Sequence, residues 1–463
     1  MQGLKLRSKL PRLLKVVSLP LFAFAGGACA TALGGGSKAA NGADTPYAAV
    51  DQMARVLVEV ENEYVDPVDR GKLVDGAIKG MVAELDPHSS YMPPEDFQTF
   101  ESDTEGQFGG IGIEVETKDD QLVVLSPIEG SPADRAGVKS GDVIVVIDGR
   151  DPTQEPLDKL VKHLRGAPGT HVKVGVRRKG TADLIAFDLV REIIHVSSVT
   201  SKLLADGVGY VRIKQFQERT HDELLDAAAK LRAKSGGHLA GIVFDMRRNP
   251  GGLVDQAADV ADEFLDGGTI YTARHRGQIV DEVTAHGGGA LSQPPCVVLV
   301  DEYTASASEL VAGALQDHKR ASIVGQRTFG KGSVQAILAL PGGAGMRLTV
   351  SRYYTPNGHA IQADGVHPDV AVEIQRDDAA TVVREKDLAG HLAQEADAAD
   401  ARKPRNVVVV PGDAGTPPPD PTGSEARNVP DDPEKGGDAV LKVGWEVLHQ
   451  AMGKPVAGAA RKP

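Results

Sequence analysis

A chain of 463 residues is too long for one compact domain and suggests about three. Charged residues at 25% and apolar residues at 41% describe an ordinary soluble globular protein. A net charge of −13 excludes nucleic acid as a natural partner, because phosphate binding needs a cationic surface.

The first thirty residues stand apart. Lys5, Arg7, Lys9, Arg12 and Lys15 make a basic start without an acid, and "VVSLPLFAFAGGACA" follows. A short apolar run ending at Ala28, Cys29 and Ala30 predicts a secretory signal peptide over 1–30, too short to read as a membrane span. The expected address is therefore export, to the periplasm or cell envelope. Lipid attachment at Cys29 is the less favoured alternative, because Gly26 and Gly27 precede it. Removing the peptide deletes five positive charges and no negative one, taking −13 to −18. Cys296 is then the sole cysteine, so an internal disulfide is excluded. No Cys/His cluster has zinc spacing, and neither a metal nor a cofactor is expected.

Residues 31–45 are rich in Gly, Ala and Ser and read as a linker. Over 46–102 a helical segment is expected: Val50, Met53, Leu57, Val60 and Tyr64 recur at helical spacing, and Leu73, Ala77, Met81 and Leu85 mark a second helix. Two such helices cannot bury their stripes alone, so they pack either on the core or on another subunit. "DPHSSYMPPEDF" reads as a turn. Over 103–190 the pattern changes to short β runs with glycine punctuation: "IGIEVE", "LVVLS", "DVIVVIDG", "VKVGVRR" and "LIAFDLV", with a helix at Leu157–Leu164. Over 191–372 strands and helices alternate. "VGYVRI" leads to a helix at 222–233, "GIVFDM" to one at 254–264, and "CVVLV" to one at 306–315; "ASIVG", "SVQAILAL" and "RLTVSRYY" follow. Near-continuous apolar strands in alternation with helices predict an α/β core around a buried sheet. The stretch 373–463 is Asp-, Ala- and Pro-rich and reads as a flexible tail, its last apolar patch, Val440 to Met452, suited to a docking helix. The fold class is multidomain α/β.

Chemistry enters at "DEYTASASELVAGALQD". Ser306 follows a buried strand at the first turn of a helix, where unpaired N–H groups and the helix dipole favour negative charge. On this stretch alone, Thr304, Ser306 or Ser308 as a helix cap is the simpler reading. A nucleophilic serine needs a base. His318 would fall at the far end of the helix, about 18 Å away at helical rise. Lys331 in "TFGKGSVQ" lies between Gly330 and Gly332, open to close approach, and burial would lower its pKa toward that of a useful base. In an extended segment Lys331, Ser333 and Gln335 share a side. In "DMRRNPGGL", Gly251 and Gly252 offer bare backbone N–H groups to an oxyanion.

"TASASE", "TFGKGSVQ" and "RRNPGG", behind a PDZ-like block, resemble the carboxyl-terminal processing protease family, the tail-specific serine proteases, over roughly residues 47 to 372. The resemblance implies Ser306 as nucleophile, Lys331 as general base, Gln335 orienting the lysine, and the N–H groups of Gly252 and Ala307 as the oxyanion hole. It implies a structural role for Asp317 and a dimer through the N-terminal helices. "FGGIGIEV" and "SPADRAGVKSGDVIVVIDG" resemble a PDZ domain. There the N–H groups of Gly110, Ile111 and Gly112 would receive a substrate's terminal carboxylate while a strand edge pairs with its backbone.

The expected function is an exported serine endopeptidase that captures protein substrates by their C-termini and cuts near them through a Ser–Lys acyl-enzyme. The alternative is a PDZ scaffold that binds tails without cutting. A Ser–His–Asp esterase is disfavoured because no G-x-S-x-G elbow surrounds Ser306. No adaptor or activator is specified by the sequence.

Overall fold

The computed structural model describes residues 46–118, 121–375, 382–394, 404–411 and 429–453. The expected signal peptide, the linker and the Pro-rich stretch 412–428 lie outside the described residues.

The first unit ends at Arg70 and holds the helix Pro46–Glu63. Tyr47, Val50 and Met53 along it and Tyr64 just after it are exposed, and Arg70 closes its end with a 2.7 Å bond to Glu61. In the second unit the helix Arg70–Ala83 is continued from Gly71, and its expected stripe residues Met81 and Leu85 are exposed while Val82 is buried. The stretch read as a turn is more ordered than expected. Only 86–89 turns; Ser90–Met92 pairs antiparallel with 345–347, and Pro94–Glu105 is a helix with proline at its start, where the missing N–H costs nothing.

The next block is a five-stranded antiparallel sheet in the order 113–118, 121–127, 143–147, 171–177, 185–190. The helix Leu157–Leu164 covers it, with Leu160 and Leu164 packed among Val124, Ile144, Val172 and Val176. Among the described residues, the strand Ile113–Lys118 is an edge, paired on one side only.

From Val199 the chain builds a seven-stranded sheet. Its order is 406–411, 370–375, 321–325, 296–300, 241–245, 208–213, 199–203, and only the last pair is antiparallel. Side chains alternate across it. Val298, Val300, Phe244 and Ile213 face the helices Thr220–Lys234, Val254–Asp262 and Ala307–Asp317. Val297, Leu299, Val243 and Tyr210 face the helix Ala439–Ala451. Both faces are covered, which is why "CVVLV" is apolar without interruption.

This arrangement corrects the reading of 373–463 as a tail outside the core. Asn406–Pro411 adds an edge strand, and Ala439–Ala451 buries Leu441, Trp445 and Leu448 against the second face. A docking helix at Val440 to Met452 was the expectation, and the helix lies there; the strand was not expected, its signal diluted by polar, Pro-rich surroundings. A hairpin of Gly268–His275 with Gln278–Ala285 was also not expected; its two turn residues, Arg276 and Gly277, have φ of 49° and 79°, the twist a tight hairpin requires. Gly345–Tyr354 pairs with this hairpin and with Ser333–Ala339.

Candidate active site

Three loops leave the carboxyl ends of adjacent parallel strands, the place where open α/β sheets build sites. They follow 241–245, 296–300 and 321–325, so the serine loop is flanked by the glycine loop and the lysine loop.

The first two loops are laced together. Asp301 accepts the N–H groups of Arg248, Tyr303 and Thr304, and the Ala305 N–H donates to the Asn249 carbonyl at 2.9 Å. Thr304 and Ser308 give their hydroxyl protons to the carbonyls of Met246 and Asn249. No described residue accepts a proton from the Ser306 hydroxyl. Ser306 is buried, with φ 58° and ψ −121°, a conformation that costs a non-glycine residue on the order of 1–3 kcal/mol and that tends to be kept where function uses it.

Gly251 explains the closeness. A Cβ there would lie 2.8 Å from Ser306 Cβ and 3.0 Å from the Ala307 nitrogen, and one on Gly252 would lie 2.1 Å from the Phe216 carbonyl oxygen. With φ of 102° and 134°, both positions require glycine. Neither the Gly252 nor the Ala307 N–H has an acceptor among the described residues. The glycine loop rests on a buried ion network. Arg247 lies 2.6 Å from Asp245, and Tyr210 donates to the same carboxylate at 2.8 Å. Burial alone would raise the Asp245 carboxyl; Arg247 and Arg212 hold it well below the usual range.

Glu309, which the motif reading passed over, joins the serine and lysine loops. One carboxylate oxygen accepts the Ser306 N–H at 2.7 Å and the Lys331 N–H at 2.9 Å. The other accepts the Gly330 N–H at 2.8 Å and the Thr328 hydroxyl. Burial pushes this carboxyl up to about 7 against those four donors. The S-x-x-E spacing of Ser306 and Glu309, the signature of a capping box, was the signal available in the sequence.

The glycines around Lys331 are approached by the segment 361–365: a Cβ on Gly332 would sit 2.3 Å from the Gln362 nitrogen. Lys331 is largely buried, and burial, aided by the charge of Arg347, lowers its pKa. Its amine has no hydrogen-bond partner among the described residues, the Ser306 hydroxyl included. The structure brings the two residues' main chains onto one oxygen atom without a direct bond between their side chains. Gln335 departs from the expected role. A bulge follows Val334, and the Gln335 amide donates to the Ser333 hydroxyl at 2.8 Å, with no bond to Lys331. His318 caps the far end of the helix, its ring on the Thr269 carbonyl at 2.7 Å. Asp317 accepts the Asn357 N–H at 2.9 Å.

In the sheet domain, Gly112 has φ 73° and opens the edge strand 113–118, and a Cβ on it would strike Ser131. Ile111 is a core side chain whose carbonyl accepts the Ala133 N–H. Gly110 is paired with Glu192 in a two-stranded ribbon, which narrows the open part of the loop to Ile111 and Gly112.

A buried serine beside glycine N–H groups, next to a lysine of lowered pKa and behind an edge-strand binding domain, defines a serine-peptidase class of site. The model of peptidase family S41 matches residues 207–372, that of the PDZ domain 109–189, and that of the activating protease CtpB N-terminal domain 34–96. The carboxy-terminal-processing protease of Bartonella bacilliformis is 42% identical over 335 residues, 72% of this chain and 77% of the relative. The carboxy-terminal processing protease CtpA of Bacillus subtilis is 35% identical over 341 residues, 73% of this chain and 72% of the relative. The solved photosystem II D1 C-terminal processing protease is 33% identical, covers 70% of this chain and 88% of its own, and aligns with a TM-score of 0.42. The chain belongs to the carboxy-terminal-processing protease family, serine peptidases that carry a PDZ domain.

Proposed function

We propose that this protein is an exported endopeptidase that takes substrates by their C-termini through its PDZ domain and cleaves near them by a Ser–Lys mechanism. Ser306 attacks the scissile carbonyl and Lys331 takes its proton. The Gly252 and Ala307 N–H groups receive the oxyanion, the amine leaves with the proton from Lys331, and water releases the acyl-enzyme. The observation that carries this reading is the shared Glu309 oxygen, which seats the strained serine beside a lysine whose pKa burial lowers.

C-terminal capture is supported by the free edge of 113–118 and the turn at Ile111 and Gly112, where a carboxylate can meet main-chain N–H groups while the peptide extends the sheet. Export is supported by the basic start and the small-residue run at 28–30. A homodimer through the N-terminal helices is supported by the exposed face of Pro46–Glu63. The decisive experiment is digestion of an unfolded protein such as casein, beside trapping with a Ser306→Ala variant and sequencing of the captured C-termini. Capture without cleavage by the wild-type protein would leave only the scaffold reading.

A further inference from the structure

The lysine loop is held from outside the region that the peptidase model matches. The segment 384–392, in the stretch whose composition reads as a tail, lies along residues 327–332. Arg384 donates from one nitrogen to the carbonyls of Arg327 and Thr328, at 2.6 and 2.7 Å, and the Glu385 N–H meets the Phe329 carbonyl at 3.3 Å. Glu385 is fully buried. One of its oxygens accepts the Gln362 amide at 2.8 Å, and the same amide nitrogen reaches the Leu392 carbonyl at 3.1 Å. The Gln362 carbonyl oxygen in turn accepts the Gly332 N–H at 3.0 Å. The second Glu385 oxygen lies 2.7 Å from His88 of the turn before Ser90, whose carbonyl accepts Arg347 at 2.8 Å.

Lys331 is therefore bracketed. Glu309 takes the N–H groups of Gly330 and Lys331 from one side, and Gln362, aimed by Glu385, takes that of Gly332 from the other. A buried carboxylate is expensive unless it is hydrogen-bonded, and each Glu385 oxygen finds one partner, His88 for the one and Gln362 for the other. Its partners all converge on the lysine loop and on the turn at 86–89.

We infer that the segment 384–392 is a clamp on the catalytic lysine, and that Glu385 is a positioning residue which sets Lys331 through Gln362 and Gly332. This rests on the Ser–Lys reading above. The clamp acts on proton transfer rather than on substrate capture, because none of its residues lies in the PDZ block.

The test compares kcat and KM for an unstructured peptide substrate in full-length variants, with melting temperature as a check on folding. Glu385→Ala should lower kcat at least tenfold while KM stays within about twofold, since misplacing a catalytic group by an ångström costs on that scale. Gln362→Glu sets two carboxylates face to face and should show the same loss. The exchanged pair, Gln362→Glu with Glu385→Gln, restores one amide against one carboxylate but leaves the Leu392 carbonyl without its donor, and should recover part of the lost kcat. Either single variant, folded and with wild-type kcat, overturns the clamp, as does a failure of the exchange to recover activity lost in folded Gln362→Glu. Should Glu385→Ala not fold, Gln362→Glu and the exchange decide. Lys331→Ala separates the two claims: if it retains turnover, the Ser–Lys reading falls, whereas an inactive Lys331→Ala beside unaffected clamp variants removes the clamp alone.

Discussion

Arg247 and Asp438, 191 residues apart in the chain, meet at 2.7 Å. The first stands in the loop that carries the glycines against Ser306. The second caps the C-terminal helix, accepting the Leu441 N–H at 3.0 Å. Arg247 is buried and is shared between Asp438 and Asp245. The glycine loop is thus held by a helix that follows everything the peptidase model matches.

Stability should register that link. Asp438→Ala removes one partner of a buried guanidinium and a helix cap, and should lower unfolding free energy by about 3 kcal/mol. Trp445→Ala on the same helix opens a cavity in the core and should cost about 3–5 kcal/mol. Chemical denaturation of both variants checks this. An unchanged midpoint for Trp445→Ala would mean the helix does not cover the sheet in solution.

Activity should vanish in Ser306→Ala, and Lys331→Arg should be equally inactive with an unchanged fold by circular dichroism. Arginine keeps a positive charge but cannot act as a base near neutral pH. Replacing His318 should leave turnover within about twofold, as it sits at the opposite end of its helix. Near wild-type cleavage by Lys331→Arg would reopen the search for a histidine base.

Gly251→Ala offers a test of the loop geometry. The added methyl would press on Ser306 and the Ala307 nitrogen at a φ of 102°. Peptide cleavage should fall about a hundredfold or more, because small displacements at the reacting centre are costly. Turnover close to that of the wild type would show that the two loops can part without harm.

Glu309 predicts a pH dependence of stability. Its carboxyl titrates at about 7 in the folded protein, against 4.5 for the free group. Between those values the folded chain binds more protons than the unfolded one, so stability is greatest at the acid end of the window and falls as pH rises through it. The full effect is about 3 kcal/mol. Glu309→Gln has no such titration, so its stability relative to wild type should rise from pH 5 to pH 8. Parallel denaturation curves at the two pH values would show that Glu309 stays ionised throughout.

Substrate choice should depend on a free C-terminus. A peptide amidated there lacks the charge that the N–H groups near Ile111 and Gly112 would bind, and its cleavage should drop severalfold. Equal rates for acid and amide would separate the PDZ domain from substrate selection.

Local pattern was sufficient for much of this protein. Alternation placed the strands of the PDZ block, and the helix at Leu157–Leu164 follows from its own spacing. Near-continuous apolar runs such as "CVVLV" announced a sheet covered on both faces. The motif residues Ser306, Lys331, Gly251 and Gly252 were legible because glycine and small residues mark backbones that must come close. What they come close to was not legible. The S-x-x-E spacing marks Glu309 as a cap partner of Ser306 but not as the carboxylate that also holds the lysine loop, and Gln335 turns to Ser333 because of a bulge that no spacing reveals. The strand at 406–411 and Glu385 sit in a stretch whose composition points to a solvated tail, and the apolar patch at Val440 to Met452 suited a helix without naming the sheet face it covers. Each becomes ordered only through partners distant in sequence: a sheet edge, an apolar sheet face, and the side chains of His88 and Gln362. Burial and hydrogen bonding between remote residues are properties of the packed chain, and only the tertiary structure could decide them.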